Sequence, residues 1–182
     1  MKPFTTNPKH LRRALIELGS RATRNDLHLE LAVCHGRCLA CAARSSGRPV
    51  PIAMPNGLAR TLIAGVTESM RLPRSWIEEE LAEYLVQLAA SGKLVQEGRD
   101  TALQFSINET ARVLARKLSV LELIDPKRDS DDADALHLLR GMREVTEAQV
   151  EAIFSRYCPD SELGPVAREL IARETTSGRL RA

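Results

Sequence analysis

Aromatic residues are scarce in this chain of 182 residues, since Phe, Trp and Tyr together make up only 3% of the sequence. Proteins that bind single-stranded nucleic acid without sequence preference stack successive bases on aromatic side chains. The few aromatic residues present fall largely on predicted apolar faces. A base-stacking platform for single strands is therefore not expected.

Long apolar runs are absent as well. No stretch approaches the roughly 20 apolar residues that a membrane-spanning helix needs, and the first residues, "MKPFTTNPKH", lack the apolar segment of a signal peptide. We therefore expect a cytoplasmic protein with no membrane partner.

Catalytic motifs are also missing. The sequence has no P-loop, G-x-G-x-x-G, H-E-x-x-H or G-x-S-x-G pattern. Its four histidines are scattered, with no acidic residue near them in a recognisable arrangement. The sequence therefore predicts a protein that is not an enzyme.

The net charge of +2 hides an uneven distribution, because residues 1–50 contain nine Lys and Arg but only three acidic residues. A positive N-terminal third can bind phosphate or an acidic protein, since either partner releases counterions; a solvated helix face is the alternative. The candidate nucleic-acid-binding residues are Lys9, Arg12, Arg13, Arg21, Arg24, Lys93, Arg99, Arg168 and Arg173.

Caps and breakers divide the chain into five predicted segments. Asn7-Pro8 begins a first helix, and Ser75 with Glu78 and Thr146 with Gln149 form predicted capping boxes. The segments are a basic N-terminal helical segment with the cysteines (1–43), a Pro/Gly linker (44–56), a domain (57–125), an acidic connector (126–135) and a C-terminal helical pair (136–182).

The central domain has the predicted order helix, turn, helix, hairpin, helix, with the hairpin turn at Gly98, Arg99 and Asp100. At "YLVQLAASGKLVQEGRDTALQFSIN" the chain resembles the winged helix-turn-helix superfamily, over roughly residues 57–124. The resemblance implies a second helix that enters the DNA major groove and a hairpin wing that touches the backbone. We therefore predict a mainly α fold with a small β-hairpin wing and N- and C-terminal helical segments.

The predicted second helix is poorly suited to reading bases. It begins with Glu78, Glu79 and Glu80, and Glu83 follows one turn later. Carboxylates at the groove repel phosphates and forfeit counterion release, although acids also suit a helix N-terminus. We therefore expect the winged helix to be a scaffold, with the DNA contacts supplied by basic residues elsewhere.

Three of the four cysteines lie in "CHGRCLAC", residues 34–41. In an unbroken helix Cys34 and Cys41 would lie about 10.5 Å apart along the axis, whereas sulfurs that share one zinc lie within about 4 Å. A metal site therefore requires a backbone break, which Gly36 could supply. The sequence alone leaves two readings open: a metal site with a histidine or Cys158 as fourth ligand, or cysteines packed as small apolar residues.

The cysteine spacing is similar to two known patterns. Cys34, Cys38 and Cys41 match the Cys-x3-Cys-x2-Cys signature of radical SAM iron–sulfur enzymes, but a partial β/α barrel does not fit this length. With His10, the same cysteines resemble the ligands of zinc-binding anti-sigma factors. That resemblance implies a zinc site at His10, Cys34, Cys38 and Cys41 and a redox-sensitive surface for a protein partner.

These observations lead to one ranked hypothesis. The first expectation is a non-enzymatic, DNA-associated transcription regulator or nucleoprotein-complex subunit, built on a winged helix and carrying structural zinc. The second is a protein–protein adaptor of anti-sigma type whose basic surface binds an acidic partner. An iron–sulfur enzyme ranks third.

Overall fold

The computed structural model describes residues 6–44, 52–94, 102–124 and 131–179. Within these residues the protein is mainly helical, with a small four-stranded mixed sheet. The coarse expectation of a mainly α fold is confirmed. The sheet, however, lies between two helical layers and is formed largely by the N-terminal third of the chain.

The sheet contains strands β1 (Leu27–Cys34), β2 (Arg37–Arg44), β3 (Ile52–Met54) and β4 (Leu103–Ile107), in the order β3-β2-β1-β4. β1 and β2 pair antiparallel over their full length, and β3 covers only residues 42–44 of β2. β4 runs parallel to β1, with Leu29 opposite Leu103. Residues 103–107, which the sequence places in a wing, thus form an edge strand of the central sheet.

The expectation of a helical segment over residues 1–43 is wrong from residue 27 onward, because "CHGRC" is the tip of the β1–β2 hairpin. His35 and Gly36 form its two-residue loop with φ values of 49° and 78°, which matches the turn that favours hairpins. Gly36 is therefore a sharp turn, as the sequence predicts. β1 is buried on both faces, so its apolar residues satisfy a helical spacing as well as an alternating one.

One face of the sheet is covered by helices α1 (Pro8–Arg24), α2 (Gly57–Ser69) and α3 (Leu81–Ala90), with a π-helical turn at Trp76–Glu80 before α3. α1 contributes Leu11, Leu15 and Leu18 to the buried core on this side. β1 contributes the alternating Leu27, Leu29, Leu31 and Val33.

The opposite face is covered by α4 (Thr110–Ser119), a 3-10 turn (Leu121–Leu123), α5 (Asp131–Gly141), α6 (Glu147–Tyr157) and α7 (Pro165–Arg179). The core on this side contains Leu39 from the sheet, Leu114 and Leu118 from α4, and Phe154 from α6. The sheet residues that point to this side alternate with those of the first core. The two cores therefore share the sheet.

The predicted helix starts are partly confirmed. The Asn7 side chain accepts a hydrogen bond from Lys9 N, and Thr146 with Gln149 forms a full capping box. The predicted box at Ser75 is wrong, because Ser75 makes no side-chain cap bond and Glu78 pairs instead with Arg37. Because the Glu78 carboxylate pairs with Arg37, it is not available to bond the backbone N–H of Ser75, as a capping box requires.

Two predicted connectors contain regular structure. Within the predicted linker 44–56, residues 52–54 are β3. Within the predicted acidic connector 126–135, residues 131–135 belong to α5. Asp131 and Asp134 are buried there, because they neutralise a buried lysine of α4. The predicted turn at Gly98, Arg99 and Asp100 lies outside the described residues.

Candidate functional site

The hairpin separates the three clustered cysteines. Cys34 and Cys41 lie on the sheet face that packs against α4–α7, and Cys38 lies on the face that packs against α1–α3. Neighbouring strand positions alternate between faces, so Gly36 turns the chain without bringing the three sulfurs together. All three cysteines are buried and free of disulfides.

The predicted fourth ligand has a different role. His10 Nε2 lies 3.1 Å from the carbonyl oxygen of Met70, so this side chain ties α1 to the end of α2. Among the described residues, no three His, Cys, Asp or Glu side chains are grouped as metal ligands. Burial raises the pKa of the Cys38 and Cys41 thiols. The predicted ligand set does not fit one tetrahedral zinc ion.

A buried carboxylate that the sequence analysis overlooked lies on β1. Glu30 is 2% exposed, and its oxygens accept hydrogen bonds from Ser106 Oγ at 2.6 Å, Arg112 Nη1 at 2.9 Å and Arg116 Nη1 at 2.6 Å. Burial opposes ionisation, but the bonds from Arg112 and Ser106 hold the pKa of Glu30 below its ordinary value. This Glu30 network links the sheet to α4.

A second buried network surrounds Lys117, which is 1% exposed. Its Nζ donates to Ala40 O at 2.6 Å and to Asp131 Oδ1 at 2.8 Å, and lies 2.7 Å from Asp134 Oδ2. Asp131 Oδ2 also accepts from the backbone N–H of Asn56 at 2.7 Å. All three ammonium protons have acceptors, so the Lys117 network joins β2, α4, α5 and the start of α2.

The basic residues of the first helix lie mainly at the surface. Lys9, Arg12, Arg13 and Arg24 are exposed, whereas Leu11, Ala14, Leu15 and Leu18 of the same helix are buried. We call these four cations the basic face of α1. No acidic residue precedes Glu17 in this helix, so its N-terminal half is purely cationic.

Arg21, also a candidate for nucleic-acid binding, holds α1 against α2. Its Nε donates to Glu17 Oε1 at 2.7 Å and its Nη2 donates to Ser69 Oγ at 3.1 Å. A Cβ at Gly65 would collide with the Arg21 guanidinium, so this side chain lies directly against α2. Arg21 therefore has a structural partner on each helix.

The other candidate cations lie elsewhere. Arg168 Nη1 donates to Glu151 Oε1 at 3.0 Å, and Arg173 Nε lies 3.8 Å from Glu174 Oε1. Lys93 is exposed after α3, and Arg99 lies outside the described residues. The cations of α7 thus have acidic neighbours on the same layer.

The buried networks could have been suspected from the sequence. Glu30 is the one acidic residue in the apolar strand "LHLELAVC", and Lys117 falls on the apolar stripe of α4 with Val113 and Leu114. A charge at a core position signals a buried partner. The partners of Glu30 lie 76 to 86 residues away in sequence, so no local pattern identifies them.

No protein family matches the chain, and no curated protein or solved structure resembles it significantly. Among the described residues, no helix combines the length and the apolar character that crossing a bilayer requires.

Proposed function

We propose that the protein is a non-enzymatic, DNA-associated protein that contacts duplex phosphates through the basic face of α1. The observation that carries this proposal is the exposure of Lys9, Arg12, Arg13 and Arg24 on one side of a helix whose other side is buried. With this contact to duplex phosphates, the protein would act as a transcription regulator or as a subunit of a larger nucleoprotein complex.

The dimensions of the basic face suit a duplex. Lys9 and Arg24 are separated by about 22 Å along the helix axis at 1.5 Å per residue. B-DNA carries one negative charge per roughly 1.7 Å of its axis, so a helix lying along the backbone meets phosphates over its whole length. Such contacts favour binding without base specificity, because phosphates carry no sequence information.

The winged helix remains the hypothesis for the scaffold. In the central sheet β4 pairs with β1, so this hypothesis rests on the sequence pattern alone. The acidic start of the second helix favours DNA contacts made by α1 instead. Zinc is left out of this proposal, because Cys38 lies across the sheet from Cys34 and Cys41.

An acidic protein partner is the second candidate, and one exposed residue favours it. Ile16 is 53% exposed and lies on the same side of α1 as Arg12 and Arg13. A large apolar side chain surrounded by cations is typical of a protein interface and contributes nothing to phosphate binding. An adaptor of this kind would bind random duplex weakly at every salt concentration.

A direct test compares two charge-matched triple variants. The first, Lys9→Gln/Arg12→Gln/Arg13→Gln, removes three cations from the basic face of α1. The second, Arg140→Gln/Arg143→Gln/Arg156→Gln, removes three exposed cations from the α5–α7 layer. Binding to fluorescein-labelled random-sequence duplex is measured by anisotropy in 50 mM NaCl (a chosen low-salt condition).

We expect the triple variant on α1 to bind duplex at least about tenfold more weakly than wild type, which is about 1.4 kcal/mol of binding free energy. The affinity of the control variant should change less than about threefold. Equal losses would mean that only net charge matters. Failure of the wild-type protein to bind duplex would contradict the proposal. If Ile16→Ser then weakened binding to an acidic protein partner, the adaptor function would be favoured.

A further inference from the structure

A cavity of about 920 Å³ lies beside β2 residues 37–40, between α2, the π-helical turn and the start of α5. β3 covers only residues 42–44 of β2, so within the described residues this part of the strand has a helical cleft beside it instead of another strand. The volume is at the upper end of the range for small-molecule sites. We call it the α2 cavity.

Part of the wall of the α2 cavity is apolar. Ala40 comes from β2, Ile63 and Ala64 from α2, and Leu72 and Ile77 from the segment that follows α2. These side chains suit the body of an apolar or aromatic molecule, because its burial removes apolar surface from water.

The rim of the α2 cavity carries an excess of positive charge. Its arginines are Arg37, Arg60, Arg71 and Arg74, and its acids are Glu68, Glu78 and Asp134. Arg37 pairs with Glu78, and Asp134 pairs with Lys117. With Arg60 set aside, the remaining rim charges are Arg71 and Arg74 against Glu68, a balance that favours an anion.

Arg71 has a backbone conformation that an arginine seldom adopts. Its φ is 53°, and it ends α2 in a motif in which Arg71 N bonds Glu68 O and Leu72 N bonds Thr67 O. Glycine is the usual residue at this position, because it has no Cβ to strain. An arginine here places a guanidinium at the rim at a cost in backbone energy.

The walls of the α2 cavity are fixed before any ligand arrives. The Lys117 network bonds Ala40 of β2, Asp131 of α5 and the N–H of Asn56 at the start of α2 to one another. A site whose walls are bonded together loses little entropy when it binds a ligand.

We propose that the α2 cavity binds an amphipathic organic anion, with its apolar body against α2 and β2 and its carboxylate or phosphate at Arg71 and Arg74. This site is independent of the proposed DNA contact, because that contact uses a different set of cations, those on the basic face of α1. Charge-assisted bonds from guanidinium groups supply affinity and orientation at the rim.

The natural reporter of this site is Trp76, the single tryptophan of the chain. Its indole Nε1 donates to Thr67 Oγ1 at 2.8 Å, and Thr67 lines the cavity. Ligand binding should therefore change Trp76 fluorescence, which offers a readout besides that of the probe.

The test uses two fluorescent probes with the same apolar body. Anilinonaphthalene sulfonate carries an anionic group, and N-phenylnaphthylamine lacks it. Five proteins are titrated with both: wild type, Arg71→Gly, Arg74→Gln, Ala64→Phe and Arg143→Gln. The last is the matched control, because Arg143 is an exposed cation after α5.

We expect wild type and the Arg143→Gln control to bind the sulfonate about tenfold or more tightly than the neutral probe, since one charge-assisted bond is worth that much. Arg71→Gly and Arg74→Gln should each remove most of that preference, and Ala64→Phe should weaken both probes by filling the cavity. Arg71→Gly should not lower the thermal midpoint, because glycine relieves the strained φ; its loss of binding therefore cannot be attributed to unfolding.

Equal affinity for the two probes would overturn the anionic part of the proposal. Binding that survives Ala64→Phe, or that disappears in Lys9→Gln/Arg12→Gln/Arg13→Gln, would place the probe elsewhere and overturn the site. Full displacement of the sulfonate by inorganic phosphate alone would overturn the apolar part. Competition by decanoate against decyl phosphate then separates a carboxylate from a phosphate as the preferred head group.

Discussion

Replacing Lys117 by methionine removes the central charge of a buried network. The change keeps the length and the apolar stem of the side chain but leaves Asp131, Asp134 and Ala40 O without their ammonium partner. Breaking a buried ion pair by removing one partner costs about 3–5 kcal/mol. Since whole domains are stable by about 5–15 kcal/mol, this variant should be close to unfolding.

The pH dependence of the stability lost in Lys117→Met identifies the unpaired aspartates as its cause. Burial raises the pKa of Asp134 even with Lys117 opposing that shift, and removal of the lysine should raise it further. A carboxyl whose folded pKa exceeds its unfolded value of about 3.9 destabilises the fold at neutral pH, and this penalty disappears below the unfolded value. The gap between wild type and Lys117→Met should therefore narrow as pH falls from 7 toward 4.

Urea unfolding followed by Trp76 fluorescence measures this gap at each pH. The triple variant Lys117→Met/Asp131→Asn/Asp134→Asn is the control, and it should recover much of the stability because no unpaired charge remains. A loss below about 1 kcal/mol for Lys117→Met, with no dependence on pH, would refute the reasoning and place Lys117 at the surface.

Three further predictions test other parts of the fold. Glu30→Gln should lower the free energy of unfolding by about 3–5 kcal/mol at pH 7. Because the partners of Glu30 lower its pKa, the stability advantage of wild type should be full above about pH 4.3 and should fall as pH drops through the folded pKa. A stability advantage that persists in acid would contradict the network. Gly36→Ala should lower the free energy of unfolding in urea by about 1 kcal/mol; the cause is the φ of 78°, since nothing lies within 4 Å of the new Cβ. His35→Asn should not destabilise the protein, because asparagine suits the same loop. Treatment with EDTA should leave the thermal midpoint unchanged, because Cys38 lies across the sheet from Cys34 and Cys41; a fall in the midpoint that zinc restores would contradict this.

Local signals in the sequence predicted two of the three capped helix starts. Asn7-Pro8 and Thr146 with Gln149 are caps in the structure, because a cap depends only on residues within one turn. The β1–β2 hairpin was missed because burial on both faces makes strand and helix spacing coincide, although His35-Gly36 is a typical hairpin loop. The parallel pairing of β4 with β1 could not be predicted, because it joins residues more than 70 positions apart.

The site was predicted in part only. The exposed cations of α1 follow from helical spacing, whereas the role of Arg21 depends on Glu17 and Ser69, the latter 48 residues away. The α2 cavity has walls from β2, α2, the π-helical turn and α5, so it arises only when the chain is folded. Its one local sign in the sequence is an arginine where α2 would normally end in glycine.

The salt dependence of duplex binding tests the central claim most directly. If Lys9, Arg12, Arg13 and Arg24 each neutralise one phosphate, a plot of log affinity against log salt concentration has a slope of about −3.6, and removal of the first three changes it to about −0.9. Between 50 and 200 mM NaCl, the wild-type affinity would fall about 150-fold and that of the Lys9→Gln/Arg12→Gln/Arg13→Gln variant about 3.5-fold. The same slope for both proteins, or no binding of wild type at the lower salt concentration, would contradict the account.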